Sequence, residues 1–336
     1  MVRTGIEYIG PLLAALICFL VSRICYPFWI KWIKNFNIES KGHVDHIIDT
    51  DTKLLKEKTP SFGGIPFLII PFFVIPLFFQ PIPIDYYAFL ALVIGMAVVG
   101  LIDDLYKRIP SKKGISAKGK SLGQIVAAAI FLTLLFTGEH SFVLKIPFGS
   151  EISFESVGSK CCFLFFLAFI LVGTSNAVNL TDGMDGLAGI LSVVSLFFLA
   201  LISYFEGQVF TTCMIMAFAG SLFGFFLVNK KPARIFMGDV GSLPLGGLIA
   251  GFSIYLYQEL VLVFLGGMFV LETLSVILQV SYYRQTKKRI FLCAPLHHHY
   301  QFHGQKEEVI VSRFALVQIL FAFGGFLLYY LARMYV

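Results

Sequence analysis

Long apolar segments follow one another along the chain and constrain its fold more than any other feature. A helix crossing the bilayer core needs roughly 20 apolar residues. Hydrophobic residues make up 57% of the 336 residues and charged residues only 14%, whereas a soluble domain carries about a quarter charged residues. We therefore predict an all-α polytopic membrane protein, one domain over residues 1–336, with about ten transmembrane helices: Tyr8–Ile30, Phe62–Gln80, Tyr86–Ile102, Leu122–Gly138, Cys161–Val178, Leu187–Phe205, Val209–Val228, Ser242–Tyr257, Leu260–Tyr283 and Phe314–Met334.

Basic residues are distributed unequally between the two sides of this bundle. Most of the 26 lysines and arginines follow spans one, three, seven and nine, whereas the other side holds Arg3, Lys145, Lys160 and Arg333. Because basic loops stay in the cytoplasm, we expect the odd-numbered connections inside and both termini outside. The basic residues are dispersed over short loops without a binding motif, so we expect membrane lipid and no nucleic acid as a partner. On the outer side, residues 143–154 predict a small surface hairpin.

Three acidic clusters fall at the predicted cytoplasmic edge, and the first is the pair Asp103 and Asp104. Lys107 lies four and three residues further along a helix and can reach either carboxylate, which a surface ion pair would also explain. Two adjacent carboxylates repel each other, and a divalent cation or a shared proton would relieve that repulsion. The pair therefore indicates a functional site.

The second cluster contains Asp182 and Asp185, preceded by Asn176 and Asn179 and flanked by glycines. Glycines let the backbone approach a ligand closely, and a following helix would offer free N–H groups to a phosphate. One of the two aspartates could instead cap the sixth span. That alternative does not explain the second aspartate or the two asparagines.

The third cluster is Asp239, between Gly238 and Gly241, with Asn229 upstream. A carboxylate in a glycine-lined turn suits Mg²⁺, which prefers carboxylate and water ligands. A helix cap is the alternative interpretation of Asp239 as well.

The ninth connection contains the consecutive residues His297, His298 and His299. Their spacing does not match a helical zinc site, and imidazoles that hydrogen-bond phosphate fit the sequence better. Glu272, near the middle of the ninth span, needs a partner inside the membrane. We expect it to make a buried structural hydrogen bond.

These motifs, in this order, resemble the polyprenyl-phosphate N-acetylhexosamine-1-phosphate transferase superfamily, and the triple histidine resembles its muramoyl branch. The resemblance covers nearly the whole chain. Its first motif departs from the usual Gly-Thr-Pro-Thr-Met-Gly-Gly at Lys58, Ser61 and Phe62. The matching segments are Lys56-Glu-Lys-Thr-Pro-Ser-Phe-Gly-Gly64, Asp103-Asp-Leu-Tyr-Lys107, Gly114-Ile-Ser-Ala-Lys-Gly-Lys120, Asn176 to Gly189, Asn229 to Ser242 and Pro295-Leu-His-His-His299.

The resemblance implies an enzyme of the bacterial inner (cytoplasmic) membrane that makes lipid I for peptidoglycan. It would transfer phospho-N-acetylmuramoyl-pentapeptide from its UDP carrier to undecaprenyl phosphate and release UMP, with Mg²⁺ on Asp239. The resemblance implies catalytic roles for Asp103, Asp104, Lys107, Asp182 and Asp185. Substrate binding would fall to Lys56, Lys120, Asn176, Asn179, Asn229, His297, His298 and His299. Both a monomer and a homodimer are compatible with the sequence.

Two alternative functions remain open at this point. Within the same superfamily, the chain could transfer N-acetylglucosamine-1-phosphate instead. A cation- or proton-coupled transporter is the alternative from another class, and it would need ionisable residues near the bilayer midplane at broken helices. Only Arg23 and Glu272 are embedded in predicted spans, so the sequence favours the transferase.

Overall fold

The computed structural model describes residues 5–36, 59–109, 112, 114–138 and 140–335, and most of these residues are helical. Two short strands form the one sheet in these ranges. The elements are α1 (Gly5–Lys34), α2 (Gly64–Val74, followed by a 3₁₀ turn at Ile75–Leu77), α3 (Ile84–Tyr106), α4 (Ala117–Thr137), β1 (Val143–Lys145), β2 (Glu151–Ser153), α5 (Val157–Thr181), α6 (Leu187–Phe205), α7 (Val209–Asn229), α8 (Asp239–Tyr255), α9 (Leu262–Leu265), α10 (Gly267–Thr286), α11 (Leu296–Phe302) and α12 (Glu307–Tyr335).

Each apolar segment predicted from the sequence overlaps a helix. Seven of the described helices are long and apolar enough to cross a membrane: α1, α3, α4, α5, α6, α7 and α12. The chain is therefore an all-α, multi-pass membrane protein. The second predicted span is shorter than expected, because the regular helix ends at Val74 ahead of Pro76, whose ring cannot continue the hydrogen-bond ladder.

The ninth predicted span is not one helix. It is divided into α9 and α10 at Gly266, so the expectation of a continuous span over Leu260–Tyr283 was wrong. A break inside a membrane frees backbone groups that need partners. The fully buried Gln318 of α12 supplies them: its Oε1 accepts from the N–H of Met268 at 2.9 Å, and its Nε2 donates to the carbonyl of Leu265 at 2.6 Å and to Oγ of Ser195 at 3.0 Å.

The core of the bundle consists of helices that approach each other closely. α7 packs against α1, α2 and α6, whereas α8 packs against α3 and α5. Small residues permit such approaches between membrane helices. At Gly100, one turn before Asp103, a Cβ atom would clash with the backbone carbonyl of Asp239. The missing side chain of Gly100 therefore lets the end of α3 meet the beginning of α8.

The bundle has two chemically different ends. Asp103 and Asp104 lie at the last turn of α3, beside the first turn of α8, and we call this end the acidic edge. Asp85 lies in the first turn of α3, where its Oδ2 accepts from the hydroxyl of Tyr255 at 2.9 Å. Asp103 follows Asp85 by 18 positions, which correspond to about 27 Å of helix. We call the end that carries Asp85 and Tyr255 the opposite edge.

The predicted hairpin is confirmed. β1 and β2 pair in antiparallel fashion, with Val143 opposite Ser153 and Lys145 opposite Glu151. The hairpin lies between α4 and α5, on the side of the bundle where α4 ends. It therefore belongs to the opposite edge.

Replacing Gln318 by Leu should destabilise the bundle, because it leaves the N–H of Met268 without its acceptor inside the membrane and removes one of the two donors to the carbonyl of Leu265. We expect a loss of about 1–3 kcal/mol, measured as a lower Tm in detergent. Thr133→Val is the matched control, since Thr133 is exposed on α4 and bonds only within its own helix among the described contacts. An unchanged Tm for Gln318→Leu would show that the break does not depend on this side chain.

Candidate functional site

Asp103 and Asp104 differ in their surroundings although they are neighbours. Asp103 is 3% exposed; its Oδ1 accepts from the N–H of Ile115 at 2.7 Å, and its Oδ2 lies 2.9 Å from Nζ of Lys107. Oδ2 of Asp104 accepts from the N–H of Val240 at 3.0 Å, while its Oδ1 lies 3.9 Å from Lys107. The prediction that Lys107 reaches both carboxylates is confirmed. Asp103 is tied to the connection after α3, and Asp104 to the first turn of α8.

Asp239 connects this pair to a second helix. Its Oδ1 lies 3.0 Å from Nζ of Lys107, and its Oδ2 lies 2.5 Å from Nζ of Lys120 on α4. Lys120 also lies 3.7 Å from Oδ2 of Asp103. Burial alone would lower the pKa of Lys107, but Asp239 and Asp104 outweigh that effect and raise its pKa. We call Asp103, Asp104, Lys107, Lys120 and Asp239 the charge network.

The helix-cap alternatives for the aspartates are wrong. Gly238 occupies the N-cap position of α8 and Gly186 that of α6, and neither position has a capping side chain. Gly186 has a φ of +80° and Gly238 a φ of +75°, a backbone region that glycine enters without strain. The side chain of Asp239 is consequently directed to the lysines rather than to its own helix.

Asp182 directly follows the last residue of α5, and the charges of the network influence the pKa of its carboxyl. Burial is the largest cause that raises the pKa of its carboxyl well above the ordinary value, and repulsion from Asp239 and Asp104 raises that pKa further. A free carboxylate among other carboxylates is unfavourable unless a cation or a proton is added. Asp182 therefore lies close enough to Asp239 and Asp104 for their charges to act on its carboxyl.

Asp185 belongs to a different set of contacts. Its Oδ2 accepts from the N–H of Ala233 at 3.0 Å, and its own N–H donates to Oε1 of Glu307 at 2.8 Å. Oε2 of Glu307 lies 2.9 Å from Nζ of Lys231. Asp185 thus holds together the connection before α6, the connection after α7 and the beginning of α12. Glu307 was not singled out in the sequence, where nothing distinguishes it from the neighbouring Glu308.

The three predicted asparagines lie at different depths. Asn179 is in the site: its Oδ1 accepts from Lys120 at 3.1 Å, and its Nδ2 donates to Oγ of Ser242 at 2.8 Å. Nδ2 of Asn176 donates to Oε1 of Gln124 at 3.1 Å, one turn further into the membrane. Asn229 is buried, accepting from the N–H of Gly186 and donating to the carbonyl of Ile235.

Gln124 was missed by the sequence reasoning. It is fully buried and joins α4 to α5, because its Nε2 donates to Oγ of Ser175 at 2.9 Å and its Oε1 accepts from Asn176. Gln124 lies four residues after Lys120, so both residues share one helix face. The four-residue spacing was the signal available in the sequence. The hydrogen bonds of Gln124 hold α4 against α5, in a position from which Lys120 reaches Asp239.

The consecutive histidines have three different environments. His297 is fully buried, and Oε1 of Glu272 accepts from its N–H at 3.2 Å and lies 3.2 Å from its Nδ1. The expected buried hydrogen bond of Glu272 is confirmed, with His297 as the partner. Nδ1 of His298 lies 3.0 Å from Oε1 of Gln301, whereas Nδ1 of His299 accepts from the N–H of Leu292.

His297 and His298 reach the loop that carries Asp182. A Cβ atom on Gly183 would clash with Nε2 of His297 and would lie 3.3 Å from Nε2 of His298. The absence of a side chain at Gly183 therefore permits the histidine helix α11 to pack against the connection that carries Asp182. His299 lies on another face, where its ring contacts Phe291 and His303.

The first motif of the resemblance is described only from Thr59 onward, so Lys56 lies outside the described residues. Its final residues pair by backbone with the segment before Asp239. The N–H groups of Gly63 and Gly64 donate to the carbonyls of Phe236 and Met237 at 2.8 and 3.0 Å. The variant residue Phe62 has a φ of +71°, and the guanidinium of Arg108 lies 4.5 Å from its ring centre.

Comparison with known proteins places the chain in a family. The model of the family described as Glycosyl transferase family 4 matches residues 86–257. Proteins named phospho-N-acetylmuramoyl-pentapeptide-transferase are similar over nearly their whole length. The one from Geobacillus thermodenitrificans is 36% identical over 93% of this chain and 96% of its own, and the one from Staphylococcus carnosus is 39% identical over 91% and 95%. The one from Desulforamulus reducens is 36% identical over 96% of each. The chain therefore belongs to the phospho-N-acetylmuramoyl-pentapeptide-transferase family, within Glycosyl transferase family 4.

Proposed function

We propose that the chain transfers phospho-N-acetylmuramoyl-pentapeptide from UDP-N-acetylmuramoyl-pentapeptide to undecaprenyl phosphate, giving lipid I and UMP. One observation carries the proposal: in a multi-pass member of this family, the acidic edge holds Asp239 between the ammonium groups of Lys107 and Lys120. Phosphoryl transfer depends chiefly on positioning and on charge stabilisation. A site that combines paired lysines with carboxylates suits it.

The acidic edge would lie on the cytoplasmic side of a bacterial inner membrane. The connections after α3 and α7 carry lysines and arginines at this edge, and basic connections remain inside. A nucleotide substrate would reach the edge from the cytoplasm, and a lipid phosphate would reach it from the surrounding membrane. This orientation would place both termini outside.

The substrates bring about three to four negative charges together. Lys107 and Lys120 can turn from Asp239 toward phosphate oxygens, and Lys56 of the first motif would add a third cation. Asp103 has both oxygens engaged, by Ile115 and Lys107. We assign Asp103 to orienting Lys107 and Asp104, whose contact with Lys107 is looser, to the lipid phosphate, whose proton it would hold or remove.

The donor set at the acidic edge fits Mg²⁺. Within the described ranges no three His, Cys, Asp or Glu side chains form a ready-made metal cluster. Mg²⁺, however, keeps several waters and is usually bound by one or two carboxylates together with substrate phosphates. Asp239 and Asp182 would be those carboxylates, and the repulsion that raises the pKa of Asp182 is what a cation would relieve. When bound, Mg²⁺ supplies charge stabilisation for the phosphate oxygens.

The test of the function is UMP release by the detergent-purified chain with Mg²⁺ and polyprenyl phosphate. We expect release with UDP-N-acetylmuramoyl-pentapeptide and not with UDP-N-acetylglucosamine, whose use would favour the alternative transferase.

Asp239→Asn should lower kcat about 100-fold or more, because the anchor of Lys107 and Lys120 loses its charge.

Asp85→Asn is the matched control at the opposite edge, some 27 Å away by helix length, and its kcat should stay within about threefold of the parent value. Near-normal turnover of Asp239→Asn would refute the assignment of Asp239. A burst of UMP without lipid acceptor would indicate a covalent aspartyl-phosphate route instead of direct attack.

The Mg²⁺ requirement should depend on pH through Asp182. Its raised pKa means that the carboxyl keeps its proton at pH values where a free aspartate has lost it, and a metal must displace that proton. The Mg²⁺ concentration for half-maximal activity should therefore fall as pH rises, by up to about tenfold per pH unit below the pKa. Asp182→Asn should abolish this slope and Asp85→Asn should keep it. An equal slope in Asp182→Asn would assign the proton to another group.

The histidine helix α11 should act on the nucleotide-sugar substrate. His298→Ala should raise the KM for that substrate about fivefold or more and change the KM for polyprenyl phosphate less than about twofold. His303→Ala is the control, because His303 is exposed and contacts His299 rather than Gly183. A larger effect of His298→Ala on the lipid substrate would contradict this placement.

A further inference from the structure

A cavity of about 430 Å³ opens at the opposite edge, about a membrane thickness away from the charge network. It lies between the β-hairpin, the residues that follow α6 and α8, and the last turns of α12. Its charged and aromatic lining comprises Lys145, Phe148, Glu151, Glu206, Tyr329 and Arg333. Its volume is within the range of about 300–1,000 Å³ that is typical of small-molecule sites. The proposed transferase reaction makes no use of it.

Two loosely paired sets of opposite charges face this cavity. Nζ of Lys145 lies 3.7 Å from Oε1 of Glu151, and Nη1 of Arg333 lies 4.0 Å from Oε1 of Glu206. Both separations exceed a hydrogen-bond length. The side chains of Lys145 and Arg333 are 46% and 44% exposed. Arg333 also donates to a backbone carbonyl and to the hydroxyl of Tyr329 at 3.1 Å, and Oε1 of Glu206 accepts from that hydroxyl at 2.6 Å. The guanidinium and the carboxylate keep further hydrogen-bonding capacity, so both can bind a partner from the cavity.

A buried acid lies in the segment between α8 and α9 that contributes to the cavity. Glu259 directly follows the lining residue Gln258 and is only 3% exposed, but it does not itself line the cavity. Neither of its carboxylate oxygens has a hydrogen-bond partner among the described residues. Buried polar groups without a partner are rare because desolvation is costly.

The rim of the cavity is apolar and aromatic. Phe148 is 52% exposed and its ring centre lies 5.7 Å from that of Tyr335, which is 81% exposed. Aromatic side chains concentrate where the bilayer meets water. The polar cavity therefore opens at headgroup depth, beside side chains that acyl chains and glycerol backbones can cover.

We propose that this cavity binds the headgroup of a phospholipid from the leaflet at the opposite edge, one that carries both a phosphodiester and a primary amine. Lys145 and Arg333 bind the phosphodiester, and Glu206 and Glu151 bind the ammonium group. A purely anionic headgroup would place its charge against the two glutamates without compensating them. A headgroup with both charges matches both pairs.

The test is native mass spectrometry of the delipidated full chain, titrated with phosphatidylethanolamine or phosphatidylglycerol. We expect one saturable phosphatidylethanolamine, bound about tenfold or more tightly than phosphatidylglycerol. Lys145→Gln and Glu206→Gln should each weaken its binding about tenfold. Lys145→Arg should restore it, because that variant keeps the charge. Lys160→Gln and Glu155→Gln are matched controls near the hairpin that do not line the cavity, and they should stay within about twofold.

Equal affinity for the two lipids, or equal binding by Lys145→Gln, Glu206→Gln and the controls, would overturn the proposal. Soluble phosphoethanolamine should compete only weakly, because it lacks the chains that cover the rim. Competition at the same concentration as the lipid would identify a site for a soluble zwitterion and refute the lipid assignment. The Tm of each variant confirms that the chain compared is folded.

Discussion

The carboxylate of Asp239, held between the ammonium groups of Lys107 and Lys120, is the interaction on which the acidic edge depends. It joins α3, α4 and α8 at one point. Buried charges are stable only when they are paired and hydrogen-bonded, so each partner requires the others. The close approach at Gly100 brings the first turn of α8 within reach of the end of α3. Packing inside the membrane thereby determines the geometry of charges at its surface.

Buried polar side chains position the other parts of the site from inside the membrane. Gln318 satisfies the backbone at the break between α9 and α10. That break precedes Glu272, whose Oε1 accepts from the N–H of His297 and lies 3.2 Å from Nδ1 of the same residue. Polar groups in a bilayer are expensive unless they are paired. Gln318 pairs the backbone at the break, and Glu272 positions His297, whose ring lies against Gly183.

The two edges use charge differently. At the acidic edge, carboxylates and lysines lie within 2.5–3.9 Å of one another and are largely buried. At the opposite edge, the charged groups of the pairs Lys145–Glu151 and Arg333–Glu206 are 3.7 and 4.0 Å apart, and their side chains are 31–58% exposed. Exposed pairs contribute little stability. Such groups are available to a ligand, and we therefore assign the cavity at the opposite edge to lipid binding rather than to a structural role.

Local sequence was sufficient for most of the helices, for the hairpin and for the contact of Lys107 with both Asp103 and Asp104. Apolar length, turn residues and i, i+3/i+4 spacing act over a few residues. The helix-cap alternatives for the aspartates could be decided only from the backbone, since Gly186 and Gly238 occupy the cap positions. The backbone at the break at Gly266 is hydrogen-bonded by Gln318, which is more than 50 residues away in the chain. No local pattern could reveal it.

The sequence by itself determined a helical membrane protein with three acidic clusters, because hydrophobicity and the cost of charge in lipid are properties of each segment. Only the tertiary structure decided how those clusters divide. It placed Asp239 with Asp103, Asp104 and Asn179, and it directed Asp185 to Ala233 and Glu307. Contacts between distant segments depend on how helices pack, and packing is a property of the whole bundle.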